Sequence, residues 1–165
     1  MDEGKGVIMD KELKNDLETL LSKVLDYTID KLLEMLEFNV DFYVYKPLTP
    51  SVYKRTYDFL HSWIVKGSGN IHDLKRCIEH DWQSMRLEPM GVEDYVYHGN
   101  MVNGRIVDNR PQLAEWLDEG AAGLNTEDNG SYWDAFLDDA ERYIDKFIME
   151  GFKKYGHNVQ VKKVR

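Results

Sequence analysis

The apolar positions of residues 9–38 recur at steps of three and four, which is the period of one helix face. Asp10 is a suitable N-cap, and acidic residues follow it in the first turn, where they complement the helix dipole. The pattern predicts a long amphipathic helix from about 10 to 37. Its buried face would contain Leu13, Leu17, Leu20, Leu21, Val24, Thr28 and Leu32.

The next segments change character twice. "NVDFYVYKPLTPSV" (39–52) is aromatic, β-branched and carries two prolines, so it predicts an extended connector. "SVYKRTYDFLHSWIV" (51–65) has helical spacing after a possible Ser51 cap and predicts a second helix. "KGSGN" (66–70) ends that pattern with two glycines and predicts a flexible joint.

The middle of the chain predicts a small sheet of two to four strands. "DLKRCIEHDW" (73–82) fits either a helix or a short strand, and its pattern leaves both open. "DYVYHGNMVNGRIV" (94–107) predicts a hairpin, because Asn103-Gly104 is a tight-turn signal between two β-prone runs.

"RPQLAEWLDEG" (110–120) predicts a short helix over 110–119, with a proline in its first turn and Gly120 after its end. Glu115 and Glu119 stand one helical turn apart, the spacing of a carboxylate pair able to act as acid and base. Amphipathicity favours a solvated acidic face instead. It places Leu113, Trp116 and Leu117 inward and Glu115, Asp118 and Glu119 at or near the surface.

The last helix has the clearest signals, with Ser131 and Asp134 forming a start like a capping box and Gly156 stopping it. Its apolar stripe contains Trp133, Phe136, Leu137, Ala140, Ile144, Phe147 and Ile148. The tail 157–165 alternates weakly and predicts either an added strand or a mobile basic arm. Together these elements predict one α+β domain over 1–165, with long N- and C-terminal helices packed on a small antiparallel sheet.

Charge is concentrated in one part of the chain. The net charge is −9, and residues 112–145 hold ten acids and one base, which accounts for all of it. This acidity argues against sequence-independent nucleic-acid binding. The single Cys77 rules out an internal disulfide framework, and no apolar run approaches the roughly 18 residues of a membrane span.

Candidate chemistry is sparse, and we expect no catalytic, cofactor or metal site. His72, Cys77, His80 and Asp81 have metal-ligand side chains, but their spacing matches no zinc template, so a free Cys and surface histidines are favoured. "GSGN" lacks the Lys-Ser/Thr of a phosphate-binding loop.

Three stretches carry a resemblance to a known family. One protein class has three similar segments in the same order along its chain. In this sequence they are "YKPLTPSVYKRTYDFLHSW" (45–63), "RPQLAEWLDEG" (110–120) and "GSYWDAFLDDAERYIDKFIMEGFKKYG" (130–156). The chain resembles the neck and tail-completion proteins of long-tailed bacteriophages, also labelled minor capsid or head–tail joining proteins. The segment "GSGNIHDLKRCIEHDW" (67–82) departs from that pattern, because it has more charge and histidine than a core strand is expected to have.

The resemblance implies a virion structural protein without catalysis, made in the host bacterial cytoplasm. Such proteins form a homo-oligomeric ring and contact adjacent neck, portal-adaptor or tail proteins. Tyr and Arg side chains are typical of protein–protein interfaces. The acidic stretch 112–145 and the basic tail have opposite charges, which suits head-to-tail packing of identical copies. We therefore expect "KKVR" of one copy to contact the closing helix of the next. The interface candidates are Tyr53, Arg55, Tyr57, Glu115, Trp116, Asp118, Glu119, Lys162, Lys163 and Arg165.

Two alternatives from other classes stay open at this point. A small acidic inhibitor that mimics DNA and binds a host nucleic-acid enzyme would use the same carboxylates as substitutes for phosphates. A metal-dependent hydrolase built around His72, Cys77 and His80 would hold a stoichiometric metal ion.

Overall fold

The computed structural model describes residues 11–47, 57–85, 99–102, 105–108, 110–119 and 130–162. Two long helices, α1 (Lys11–Val40) and α3 (Tyr132–Lys154), dominate it, and four short strands form two separate antiparallel pairs. This arrangement confirms the α+β class. Within the described residues, neither long helix has a stretch apolar enough to cross a bilayer.

Helix α1 spans Lys11–Val40 and continues into a π-helical turn, Asp41–Tyr45, closed by a 2.8 Å hydrogen bond from the Lys46 N–H to the Asp41 carbonyl. The predicted first helix is therefore confirmed, but the predicted extended connector is wrong over 39–45. Val40 and Val44 explain the difference, because both are buried and continue the core-facing side of α1. Burying such side chains is worth more than the preference of β-branched residues for extended backbone.

The predicted buried face of α1 is confirmed only in part. Val24, Thr28 and Leu32 are buried, whereas Leu13 and Leu17 are exposed. The apolar pattern runs the whole length of α1, but α3 packs along only part of it. The end of α3 lies beside Lys23 of α1, since the Tyr155 ring is 5.9 Å from the Lys23 Nζ. Leu13 and Leu17 belong to the turns of α1 that precede this point.

The predicted second helix is wrong within its described part, and residues 51–56 lie outside the described chain. Residues 58–61 form turns, and strand β1, Trp63–Lys66, pairs with β2, Cys77–His80, in the register Trp63↔His80 and Lys66↔Cys77. Tyr57 has φ 57°, which a helix cannot contain, and aromatic and β-branched side chains fill β1. Of the two options for 73–82, the strand is the observed one over Cys77–His80.

The predicted hairpin is confirmed. Strand β3, Gly99–Val102, pairs with β4, Arg105–Asp108, in the register Val102↔Arg105, which leaves two residues between the strands. The Arg110 guanidinium donates two hydrogen bonds to the Asp108 carboxylate, at 2.8 and 2.9 Å, and one to the Met85 carbonyl. These bonds hold the end of the hairpin in place. This bidentate hydrogen bond lowers the pKa of Asp108 below its ordinary value.

A 3₁₀ turn, Arg110–Gln112, leads into helix α2, Leu113–Asp118, as the sequence predicts. Leu113 and Leu117 are buried, whereas Trp116 is half-buried. Gly120 lies outside the described residues.

Helix α3, Tyr132–Lys154, starts and ends as predicted. The Ser131 hydroxyl accepts the Asp134 N–H at 2.8 Å. At the other end Gly156 has φ 86°, and the N–H groups of Gly156 and His157 bond to the carbonyls of Lys153 and Phe152. These two bonds define a Schellman motif, which requires a residue in the left-handed region. Residues 157–162 form no strand, so the added-strand option is wrong for them.

Helix α3 runs antiparallel to α1, because Gly151 packs against Val24 and Tyr27 while Gly130 lies near Tyr43 at the opposite end. The core forms where the C-terminal half of α1 meets α2, β1 and the first turns of α3. Its buried members are Ile29, Leu32, Leu36, Val40, Val44, Phe59, Trp63, Met85, Leu113, Leu117, Tyr132 and Phe136.

Candidate interaction surfaces

An aromatic patch lies at the end of α1 and consists of Phe38, Phe42 and Lys46. The two rings are 58% and 49% exposed and stack with centroids 6.2 Å apart. The Lys46 Nζ lies 5.3 and 5.5 Å from the two centroids and 3.3 Å from the Asp41 carboxylate. Phe42 lies within the π-helical turn, and Lys46 follows directly after it.

Tyr57, one of the predicted interface residues, lies near the same end of α1. It is exposed, and its ring stacks on Tyr45 with centroids 4.8 Å apart. Tyr53 and Arg55 fall outside the described residues.

An acidic stripe runs along the outward face of α3 and consists of Asp134, Asp138 and Glu141. All three are exposed, and their spacing of four and three residues places them in one line about 10 Å long. Leu137 lies beside them and is 48% exposed. The predicted burial of Leu137 is therefore wrong: Phe136 takes the core position, and one residue further along a helix turns the side chain outward.

The acids of α2 divide into two roles. Glu115 and Glu119 are exposed, as predicted for a solvated face. Asp118 instead accepts hydrogen bonds from the Ser131 hydroxyl at 2.7 Å and the Trp133 N–H at 3.0 Å. The assignment of Asp118 to the acidic outer face needs correction, because this carboxylate joins α2 to the first turn of α3, where it also complements the helix dipole.

A second contact joins the same two helices. The buried Tyr132 hydroxyl donates to the Ala114 carbonyl at 3.0 Å. Burial raises the pKa of the Tyr132 phenol, so the hydroxyl keeps the proton that it donates.

The three residues of the metal-dependent hydrolase alternative, His72, Cys77 and His80, contact different neighbours. His72 lies 3.7 Å from the Glu18 carboxylate, and the Cys77 thiol lies 3.5 Å from that of Glu79. His80 packs against the rings of Phe59 and Trp63 at 5.2 and 4.9 Å. In the part of the chain that the structure describes, no three His, Cys, Asp or Glu side chains form a group able to hold a metal ion.

His80 is not the surface histidine that the sequence suggests. Burial among aromatic rings lowers its pKa from the ordinary 6.5, against an opposing effect of the nearby Asp81. Its Nε2 and the Trp63 Nε1 are buried and have no hydrogen-bond partner among the described residues. The neutral imidazole therefore contributes to packing in the folded chain.

The "GSGN" loop is tied to α1 rather than being a free joint. Arg76, whose side chain is 2% exposed, bonds through Nε to Asp26 at 2.5 Å and through Nη2 to the Ser22 hydroxyl at 2.7 Å. Its other N–H groups reach the carbonyls of residues 70, 73 and 75, and Asp26 also accepts the Gly69 N–H at 3.2 Å. We call these side chains and carbonyls the Arg76 network.

The C-terminal tail begins along its own helix. Asn158 and Val159 line an open groove of about 290 Å³ with the α3 residues Lys146, Met149 and Lys153. Lys162 is exposed beyond this groove, and Lys163 and Arg165 lie outside the described residues.

The comparisons found no relative. None of the family models, curated proteins or solved structures compared with this chain matches it. The interaction surfaces therefore rest on this chain's own residues.

Sequence reasoning missed the aromatic patch because the predicted helix stops at 37 and the connector prediction starts at 39. One signal was available: Phe38 and Phe42 are four residues apart and extend the helical spacing past the predicted end.

Proposed function

We propose that this chain is a non-enzymatic structural protein of a long-tailed phage virion, acting in the neck or at the completed end of the tail. It assembles with copies of itself into a ring and contacts neighbouring virion proteins. The family resemblance of the sequence suggests the location, and the described surface supports a role in assembly.

The observation that carries the proposal is the aromatic patch. Single exposed apolar side chains are normal on soluble proteins, whereas two exposed aromatic rings that stack beside a lysine have the side-chain types that are enriched in protein–protein interfaces. A phenylalanine buries on the order of 150–250 Å² when covered, so Phe38 and Phe42, each about half exposed, leave on the order of 200 Å² of apolar surface in one place.

The charge of the described surface is compatible with a ring through which DNA passes. The exposed Glu115 and Glu119 on α2 would repel phosphates. A lumen lined by these residues would let a genome move without binding to the wall.

Native mass spectrometry and negative-stain imaging of the purified chain test this proposal. We expect symmetric oligomers whose abundance rises with protein concentration, and the chain in purified virions. A monomer at every concentration together with absence from virions would contradict the proposal.

Deleting residues 158–165 tests the expected contribution of the basic tail to assembly. If the tail of one copy meets the acidic α3 of the next, this deletion reduces the oligomer fraction. An unchanged oligomer distribution would remove the tail from the interface and leave the proposal itself intact.

A second candidate function is a DNA-mimicking inhibitor of a host nucleic-acid enzyme, which the straight line of Asp134, Asp138 and Glu141 favours. Such an inhibitor stays small, binds its target more weakly as salt rises and competes with duplex DNA. Competition between the chain and DNA for a DNA-binding enzyme of a bacterial host, measured at two salt concentrations, separates the two functions.

A further inference from the structure

We propose that the aromatic patch of one copy docks on the acidic stripe of the next copy, with Phe42 covering Leu137. This inference rests on the proposed self-assembly and specifies which two surfaces meet. Because the two surfaces differ, a copy that uses one of them in a contact keeps the other free for a further neighbour. Contacts of this kind generate a ring when the rotation between successive copies returns to the first copy.

The apolar parts of the two surfaces complement each other. Leu137 is 48% exposed and is flanked on α3 by carboxylates, so it is an isolated apolar site with a charged border. Phe38 and Phe42 form an apolar site bordered by Lys46. Stacking one on the other removes all three side chains from water and brings the two charged borders into contact.

The charges of those borders are opposite. The Lys46 side chain is 55% exposed although it contacts Asp41, so its ammonium keeps a side open to a second carboxylate. Lys46 is the base that lies over the two rings of the aromatic patch, whereas residues 134–145 carry five acids and one base. Complementary charge of this kind steers association and fixes the register of a contact.

The tail is a less suitable occupant of the acidic stripe than the aromatic patch is. Asn158 and Val159 already lie beside Lys146 and Met149 of their own helix. Along α3, Met149 lies about 18 Å from Leu137 at the ordinary helical rise. The first residues of the tail therefore occupy the other end of α3.

The contact is small, and this sets its expected strength. The exposed parts of three apolar side chains fall well short of the roughly 800 Å² per partner of a standard interface. Isolated pairs are therefore weak, and assembly depends on concentration and on the closure of a ring.

Disulfide trapping tests the contact, since Cys77 is the chain's single cysteine. In a Cys77→Ser background, Phe42→Cys and Leu137→Cys are made singly and together. Under mild oxidation the double variant should give a ladder of oligomers that collapses on reduction, and a mixture of the two single variants should give a covalent dimer. A disulfide needs Cα atoms within about 7 Å, so efficient trapping reports direct apposition.

Several results would overturn the inference. A covalent dimer of Phe42→Cys alone at the efficiency of the mixture means that like patches meet. A double variant that forms only an internal disulfide places the two sites in one copy. No trapping in the full chain together with efficient trapping after deletion of residues 158–165 assigns the acidic stripe to the tail.

Charge reversal supplies a readout that does not depend on introduced cysteines. Lys46→Glu and Asp138→Lys should each lower the oligomer fraction several-fold at a fixed concentration, and combining them in one chain should restore most of it. Arg142→Glu is a matched control on α3, because Arg142 is exposed and lies outside the stripe. Absence of restoration in folded double variants counts against the contact.

Failure of the inference is distinguishable from failure of the proposed function. A wild-type chain that is monomeric throughout and absent from virions overturns both. A wild-type chain that assembles while the cysteine mixture stays uncrosslinked overturns only the pairing of these two surfaces.

Discussion

Replacing Arg76 by methionine tests whether the Arg76 network holds the 67–76 loop on α1. The change removes the bonds to Asp26 and Ser22 and to three backbone carbonyls while keeping most of the apolar stem. Removing one partner of a buried ion pair costs about 3–5 kcal/mol. Asp26 is 28% exposed and keeps the Gly69 N–H, so water compensates part of the loss.

We expect Arg76→Met to lower the free energy of unfolding by about 2–3 kcal/mol. With a urea m-value of about 2 kcal/mol/M, the unfolding midpoint should fall by roughly 1 M with an unchanged slope. Circular dichroism across a urea titration measures this. Hydrogen exchange at the Gly69 amide should accelerate at the same time, because its acceptor loses the arginine that orients it.

Arg142→Met is the matched control, since the Arg142 side chain is 68% exposed and lies 3.9 Å from Asp139. Pairs of this kind contribute about 0–1 kcal/mol, so the midpoint should hardly move. If Arg76→Met shifts the midpoint no more than Arg142→Met does, the argument that burial makes this network stabilising is refuted.

Three further predictions follow from single sites. Burial lowers the pKa of His80 in the folded chain below 6.5, so the unfolded chain binds more protons as the pH falls through that value. The contribution of neutral His80 to stability is therefore fully present above pH 6.5 and is lost as the pH falls below it. His80→Phe should flatten this pH dependence, which urea unfolding midpoints at several pH values measure. Gly151→Leu should lower the melting temperature, because a Cβ at this position lies 3.1 Å from the Val24 Cγ1, and overpacking of about 1–3 kcal/mol exceeds the roughly 1 kcal/mol gained in helix propensity. Ser131→Ala should cost about 1 kcal/mol in urea unfolding, since it removes the hydroxyl that caps α3.

Each of these predictions has a control and a contrary outcome. His61→Phe alters a largely exposed histidine, and an equal flattening there would mean that His80 is not the titrating group. A Gly151→Leu variant as stable as the wild type would show that the helices separate without cost. Ser84→Ala removes an exposed hydroxyl outside any long helix, and a loss equal to that of Ser131→Ala would argue against capping.

The two long helices could be predicted from sequence, and so could the start of α1 and both ends of α3, because their signals are local. The three-four spacing of α1, the Ser131 cap and the Gly156 stop each act within a few residues of chain. The β3–β4 hairpin belongs to the same group, since Asn103-Gly104 and the flanking runs determine its register.

The interaction surfaces could be predicted only in outline. The acidity of α3 is visible in composition, and Glu115 and Glu119 are exposed as expected. The aromatic patch was missed because α1 continues past its predicted end, and the role of Asp118 was not predictable because it depends on where the distant α3 begins. Asp118 is an outward acid in an isolated α2 and becomes a cap only when Ser131 is brought beside it.

The sequence by itself therefore determined that the two long helices form, where α3 begins and ends, and where the negative charge lies. Tertiary structure decided the residues between them. Residues 39–45 are helical because Val40 and Val44 complete the core, and Trp63 lies in a strand because it pairs with His80. Intrinsic preferences differ by less than about 1 kcal/mol per residue, whereas burying one large apolar side chain is worth about 1.5–3 kcal/mol, so packing overrides local preference wherever the two disagree.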